Sequence, residues 1–169
     1  MFRLLTLMLS LVLANACQQT SEDDRTASAK ASQVSGHYQI DPITGDVRAE
    51  QEDAHGITTT MRAGKAVEAT LPAPFIAYPD ARTAHVTHVD RGDDKAVMMN
   101  FTSNDSLAEI AGFYRTQARQ AGVDVDVDMA APEAVVLAGA NGSGVSFALT
   151  LTREDIWTRG QLWIAEGLD

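Results

Sequence analysis

The stretch of sequence that decides the fold is AVMMNFTSNDSLAEIAGFYRTQARQAG, residues 96–122. It begins with Val97, Met99 and Phe101 at every second position, the period of a strand that buries one face. Residues 83–90, just upstream, also have strand composition, and a turn-like Arg-Gly-Asp-Asp tetrapeptide separates the two runs. We therefore predict a β-hairpin at the start of this region.

A helix is predicted directly after the hairpin. Ser106 and Glu109 have the spacing of a capping box, in which each side chain bonds to the backbone N–H of the other residue. Gly122 provides the left-handed conformation at which helices commonly stop. Between these signals, apolar residues recur at helical spacing, at Leu107, Ile110, Ala111, Tyr114, Ala118 and Ala121. We predict a helix over residues 107–121.

Further strands are predicted after the helix. Valine alternates with aspartate from Val123 to Asp128, and Gly142 and Gly144 permit a tight hairpin turn farther along the chain. The predicted order is β-β-α-β-β-β. A single helix with a long apolar stripe can bury that stripe only against a sheet, so the predicted fold class is α+β, with one helix packed on an antiparallel sheet.

Composition limits the function classes that need to be considered. The chain has 169 residues, with 13 Lys plus Arg against 23 Asp plus Glu, a formal net charge of −10, and one cysteine. This length allows one domain. The acidic balance excludes a nucleic-acid binder that relies on a basic surface, and a single cysteine excludes an internal disulfide framework.

Residues 1–16 have the features of an export signal peptide. Arg3 supplies a positive start, Leu4–Leu13 is an apolar run, and Ala14-Asn15-Ala16 presents small residues at a cleavage point. The apolar run is too short for a transmembrane helix, which needs about 20 residues. The segment is therefore predicted to be processed.

The junction after the apolar run resembles the lipobox of bacterial lipoproteins. In Leu13-Ala14-Asn15-Ala16-Cys17 the cysteine would be the residue that receives the lipid and begins the mature chain. Ordinary secretion is the alternative, because the small residues also fit a secretory cleavage site. The position of the only cysteine just past that site favours lipid attachment at Cys17. Gln18, where Asp would favour retention in the inner membrane, implies an outer-membrane lipoprotein on the periplasmic face.

Two further segments follow the predicted signal peptide. Residues 17–70 are predicted to be a polar tether, because the stretch begins with Ser, Thr, Ala, Gln and charged residues without apolar periodicity. Residues 36–70 leave two alternatives open: short β-hairpin strands around glycine turns, or a mobile segment. Residues 71–169 are predicted to form the small α+β domain.

No sequence motif that resembles a catalytic or metal-binding pattern is sufficient to predict such a site. Asp124, Asp126 and Asp128 have the spacing that opens a calcium-binding EF-hand loop, but that loop also needs a glycine and a glutamate that the sequence lacks. On a strand the three carboxylates would lie about 7 Å apart on one face, too far for one ion. His85 and His88 would lie on opposite faces of a strand. We predict no catalytic residue, no cofactor and no metal site.

Arg115 and Arg119 are the candidate contact residues. They lie four residues apart on the flank of the predicted helix, where two like charges repel unless an anion or carboxylate lies between them. One interpretation is that they pair with aspartates of the same chain. The other is that they contact an anionic ligand or a partner protein.

Two sequence motifs mark the C-terminal part of the chain. Ala77-Tyr78-Pro79-Asp80-Ala81 is a Tyr-Pro-x-Ala start of the domain, and residues 102–105 are a Thr-Ser-x-Asp helix start, followed by Phe113-Tyr114-Arg115. In these motifs the sequence resembles small bacterial envelope lipoproteins with an uncharacterised C-terminal α+β domain. The resemblance covers residues 70–165. It implies a location in the envelope and an architecture, and it implies no particular reaction.

The functional hypothesis is a lipid-anchored, non-enzymatic binding or adaptor module that faces the periplasm. Its expected partners are the membrane, through the N-terminal lipid, and another envelope protein, without nucleic acid. The alternative is a secreted or periplasmic enzyme, or an enzyme inhibitor, with a pocket between sheet and helix. An exposed apolar patch or open sheet edge would favour the adaptor, whereas buried titratable groups in a pocket would favour the enzyme.

Overall fold

The computed structural model describes residues 35–167, which form nine strands and one helix. These elements are β1 (Ser35–Ile40), β2 (Val47–Glu52), β3 (Thr58–Gly64), β4 (Arg82–Arg91), β5 (Asp94–Ser103), α1 (Leu107–Gln120), β6 (Asp124–Ala131), β7 (Ala134–Ala140), β8 (Val145–Glu154) and β9 (Trp157–Glu166).

The nine strands form one antiparallel sheet in the order β1-β2-β3-β4-β5-β9-β8-β7-β6. Strands that follow each other in sequence are neighbours in the sheet, except that β5 pairs with β9 and not with β6. The sheet therefore consists of two meanders, β1–β5 and β6–β9, joined at the β5–β9 ladder. β1 and β6 are its two edges.

The predicted α+β class and the order β-β-α-β-β-β are wrong. Five strands precede α1 and four follow it, so the fold is a β-rich sheet with one mid-chain helix. Much of the difference lies in residues 35–64, within the stretch predicted as a polar tether, where β1–β3 extend the sheet. Every residue of β1 is exposed, and its apolar alternation is limited to Tyr38 and Ile40, which is too short to identify a strand. Backbone pairing with the neighbouring strand defines it instead.

The helix agrees closely with its prediction. The Ser106 side chain accepts a hydrogen bond from the Glu109 N–H, and the Glu109 carboxylate accepts one from the Ser106 N–H, so the capping box is present. Gly122 has φ 69°, the left-handed conformation expected after the last turn. The stripe that faces the sheet is buried and includes Ile110 and Tyr114, each contributing on the order of 1.5–3 kcal/mol through burial.

The core lies on one face of the sheet, which we call the core face. Its centre consists of every second residue of the inner strands, including Met99, Leu149 and Leu162, all fully buried. Helix α1 packs on this face over β6, β7 and β8. The rest of the core packs against the covering segment, residues 65–81, which includes Phe75.

The covering segment is held by the helix and by the sheet. The Phe75 ring stacks on Phe147 of β8, with ring centroids 5.6 Å apart. The Gln117 side-chain carbonyl of α1 accepts a hydrogen bond from the Ile76 N–H at 2.7 Å. On β4 the buried His88 ring lies with Nε2 2.8 Å from the Glu68 carbonyl oxygen. The segment thus packs on the core face beside α1 and helps to cover it.

Candidate functional site

The face of the sheet opposite the core, which we call the open face, carries a continuous line of apolar side chains. Because directly paired residues of antiparallel strands place their side chains on the same face, the register identifies one residue of each strand in this line. The open-face row runs from β1 to β6 through Ile40, Val47, Ala63, Thr87, Met98, Trp163, Ala148, Ala138 and Val127. Thr87 is its single polar member.

A second row lies beside it on the same face. From β1 to β9 its members are also apolar: Tyr38, Ala49, Met61, Val89, Ala96 and Ala165. Helix α1 and the covering segment both pack on the core face. In residues 35–167, therefore, neither element shields these rows.

Exposure along the open face is greatest at the sheet's two ends. Tyr38 is 73% exposed and Ile40 54% exposed at the β1 end, and Met129, next to the row at the β6 end, is 60% exposed. In the middle, Met98 and Trp163 are half-buried, and Ala96 and Ala165 of the second row are buried. A single exposed apolar side chain is ordinary, whereas a contiguous apolar surface of this extent is typical of an interaction site.

The two edges of the sheet differ in their protection against further strand pairing. β6 carries Asp124, Asp126 and Asp128, and its register with β7 shifts between Val125 and Val127. Charged residues and bulges are the usual means by which edge strands avoid pairing with other chains. Gly139 on β7 accommodates the irregularity, because a Cβ atom there would overlap the Asp124 carbonyl oxygen.

β1 has none of these protective features. It contains no charged residue and no proline, and its six residues pair with β2 in unbroken register. All six residues are exposed. β1 is therefore an open edge next to the most exposed part of the open-face row.

The irregularity in β6 also changes the arrangement of its aspartates. Asp124 pairs with Ala140 on the open face, whereas Asp128 pairs with Leu137 on the core face. The expectation that the three carboxylates share one face is wrong, because the register shift lies between them. Within the described ranges, no group of three metal-ligating side chains is close enough to hold an ion.

Arg115 lies opposite Asp128 and forms a bidentate ion pair with it. Its Nε and Nη2 donate to the two carboxylate oxygens at 2.8 and 2.7 Å. This hydrogen bonding raises the pKa of Arg115 and lowers the pKa of Asp128. Arg119 instead donates to the Thr116 hydroxyl at 3.2 Å and remains exposed. The structure thus does not bring the two arginines together on one ligand.

A groove of about 650 Å³ lies between the first turns of α1 and the β6–β7 turn, and we call it the helix groove. Its charged lining residues are Arg115, Arg153 and Glu133. Arg153 donates to the Thr158 hydroxyl and to the Asp155 carbonyl oxygen. The Ser106 hydroxyl in the groove donates to Glu109 at 2.7 Å as part of the helix cap. The two arginines and Ser106 are thus engaged in structural contacts within the chain.

The open-face row was missed in the sequence because its members come from nine strands and only the register aligns them. A signal was nonetheless present. Val97, Met98 and Met99 are consecutive apolar residues of β5, as are Leu162, Trp163 and Ile164 of β9. A strand that is apolar on both faces indicates that its second face also makes contacts. His85 and His88 do lie on opposite faces, because they pair with Asn100 and Val97 respectively.

Cys17 lies outside the described residues. In the part of the chain that the structure describes, no helix is long and apolar enough to cross a membrane. No family model, curated protein or solved structure matches this chain.

Proposed function

We propose that this chain is a lipid-anchored binding or adaptor module of the cell envelope, which contacts another envelope protein through the open face. The observation that carries the proposal is the open-face row, which crosses all nine strands with one polar member. A sheet face that served only to meet water would carry polar side chains, because such strands alternate apolar residues on the packed face with polar residues on the solvated one. The open-face row presents methionine, valine, tryptophan and isoleucine instead, whereas the adjoining row on the same face is polar at Asn100, Gln161 and Thr150.

The anchor is proposed from the sequence alone. Lipid attachment at Cys17 would place the sheet near the outer membrane, on its periplasmic face, and a secreted or periplasmic soluble protein is the alternative. Several acyl chains together give stable attachment, since each buried methylene contributes about 0.8 kcal/mol. The formal net charge of −10 disfavours an additional electrostatic attraction to an anionic lipid surface.

Site-specific photo-crosslinking in living cells tests the binding surface. A photoreactive amino acid replaces Met98 or Met129 on the open face, and Arg119, exposed on α1, is the matched control. We expect the same envelope-protein adduct from both open-face positions and its absence from Arg119. Adducts of equal yield from all three positions, or none from the open face, would contradict the proposal.

The helix groove supports the second candidate function, an enzyme or enzyme inhibitor with a pocket between helix and sheet. Its volume suits a small molecule, but its lining lacks His, Asp, Lys and Cys. Ala108→Trp, an exposed position of the groove, would fill it without touching the open face. We expect the Met98 adduct to persist in this variant. Loss of the Met98 adduct in this variant would instead indicate that the helix groove is the functional site.

A further inference from the structure

We propose that two copies of this chain associate by antiparallel pairing of β1 with β1, which joins their sheets into one. This inference does not depend on lipid attachment or on the partner proposed above. It starts from the open edge of the sheet. Within residues 35–167, β1 is hydrogen-bonded to β2 on one side, and its other side pairs with no strand.

The distribution of charge favours a second copy of this chain, and not a different protein, as the partner of the β1 edge. The chain carries a formal net charge of −10, so two copies repel each other over most of their surfaces. β1 consists of Ser, Gly, His, Tyr, Gln and Ile, without Asp, Glu, Lys or Arg. Two β1 strands can therefore meet without placing like charges opposite each other, which is destabilising across strands. A basic partner would be attracted instead to the aspartates of β6.

Symmetry favours the same arrangement. A two-fold axis perpendicular to the sheet pairs a residue of β1 with the same residue of the second copy. Centred on Tyr38, the axis places Gly36 of each copy opposite Ile40 of the other. Both open faces then lie on the same side, and the second row of one copy, which ends at Tyr38, continues into the second row of the other. The exposed surfaces of Tyr38 and Ile40 are partly covered in the process.

The pairing is expected to be weak for a free chain. A contact between two six-residue strands is smaller than the roughly 1,200–2,000 Å² that stable protein interfaces bury. We therefore expect a dimer that dissociates on dilution. Confinement of two copies to one surface would raise their effective concentration and favour the paired state.

Analytical ultracentrifugation over a concentration series tests the proposal with the exported chain in the Cys17→Ser background. We expect a reversible monomer–dimer equilibrium for this protein. Tyr38→Lys should shift it to monomer at every concentration, because two lysines would lie opposite each other, while circular dichroism remains unchanged. Asp126→Lys on β6 is the matched control and should leave the dimer intact. A chain that is monomeric throughout, or a dimer lost in Asp126→Lys but retained in Tyr38→Lys, would overturn the proposal.

Disulfide trapping tests the register in the same background, where an introduced cysteine is the only thiol. Tyr38→Cys should give a covalent dimer on mild oxidation, since the two side chains lie opposite each other across the axis. Met129→Cys, at the other end of the sheet, should remain monomeric. Efficient trapping by Met129→Cys and not by Tyr38→Cys would assign the contact to a different surface and exclude pairing through β1.

Discussion

The hydroxyl oxygen of Tyr114 accepts a hydrogen bond from the backbone N–H of Tyr78 at 3.0 Å. This contact ties the middle of α1 to the covering segment. Tyr114 is fully buried, and its ring also contacts that of Phe113 edge to face. Because the covering segment has no strand of its own, helix side chains supply the acceptors that its backbone needs at this point.

Tyr114→Phe should destabilise the fold by about 1–3 kcal/mol, because the Tyr78 N–H would lose its acceptor in a partly buried position. Chemical denaturation measures this change, and hydrogen exchange should show faster exchange at the Tyr78 amide. Tyr38→Phe removes a hydroxyl from an exposed side chain and is the control. Equal stabilities for the two variants would show that the Tyr114 hydrogen bond contributes nothing measurable.

Alkaline pH should destabilise the protein through its tyrosines. Burial is the main cause that raises the pKa of Tyr78 to about 12, with a further contribution from Asp105, and burial also raises the pKa of Tyr114. Both groups favour the folded state while protonated, so their contribution is complete below about pH 10, the ordinary tyrosine value, and is lost as the pH rises through the folded-state values.

Melting temperatures measured between pH 8 and pH 12 test this expectation. Tyr78→Phe should lose less stability over this interval than the unaltered protein does, because it has one fewer tyrosine to ionise. Identical pH profiles would show that ionisation of Tyr78 is not coupled to unfolding.

Gly160→Ala should destabilise the core by about 1–3 kcal/mol through overpacking. Gly160 is buried on β9, and a Cβ atom there would overlap the ring of Phe101 on the paired strand. Gly112→Ala is the control, because its added methyl group meets no atom within 4 Å and lies on an exposed side of α1. That variant should be more stable by about 0.5–1 kcal/mol, since alanine favours helix over glycine. Opposite signs for the pair in urea denaturation would confirm both expectations.

The Arg115–Asp128 ion pair should make part of the stability pH-dependent in acid. Hydrogen bonding by Arg115 lowers the pKa of Asp128, so the ionised carboxylate stabilises the fold. This contribution is present above about pH 4, the ordinary value, and is lost as the pH falls through the folded-state value. Asp128→Asn should therefore be less stable than the unaltered chain at pH 7, and the difference should diminish toward pH 3. Asp126→Asn, on the same strand, should show no such convergence.

Cys17→Ser should abolish incorporation of a palmitate analogue during metabolic labelling. The unaltered chain should incorporate the label and fractionate with the outer membrane. An unlabelled protein, or an intact mass equal to an unmodified chain that starts at residue 17, would contradict lipid attachment and favour plain secretion. The photo-crosslinking experiment above is independent of this result, so the anchor and the binding surface can fail separately.

The sequence was sufficient where the determinants of structure are local. The capping box of α1 and its glycine stop depend on residues within one helical turn, and both are present as predicted. The hairpin of β4 and β5 was likewise visible in its alternation and its turn. β1–β3 were left undecided because backbone pairing with a neighbouring strand, and not burial of a side-chain pattern, defines them.

The candidate surface could not be derived in the same way. Met98 and Trp163 are neighbours because β9 pairs with β5, which no local pattern reveals. The partner of Arg115 depends on the register shift in β6, which moves Asp128 to the core face although the valine–aspartate alternation in the sequence is regular. Residue type could indicate that an arginine pairs with an aspartate, but not with which one.

The central position of β9 has a consequence for the order in which the protein can fold. The final strand of the sheet is the one that joins its two meanders, since Lys95 of β5 pairs with Glu166 at the end of β9. During synthesis from the amino terminus, α1 and the strands β6–β8 must be synthesised before β9 is available to pair with β5. Until then β5 presents a bare edge that carries Val97, Met98 and Met99. The nascent chain is thus most prone to aggregation just before its last strand arrives.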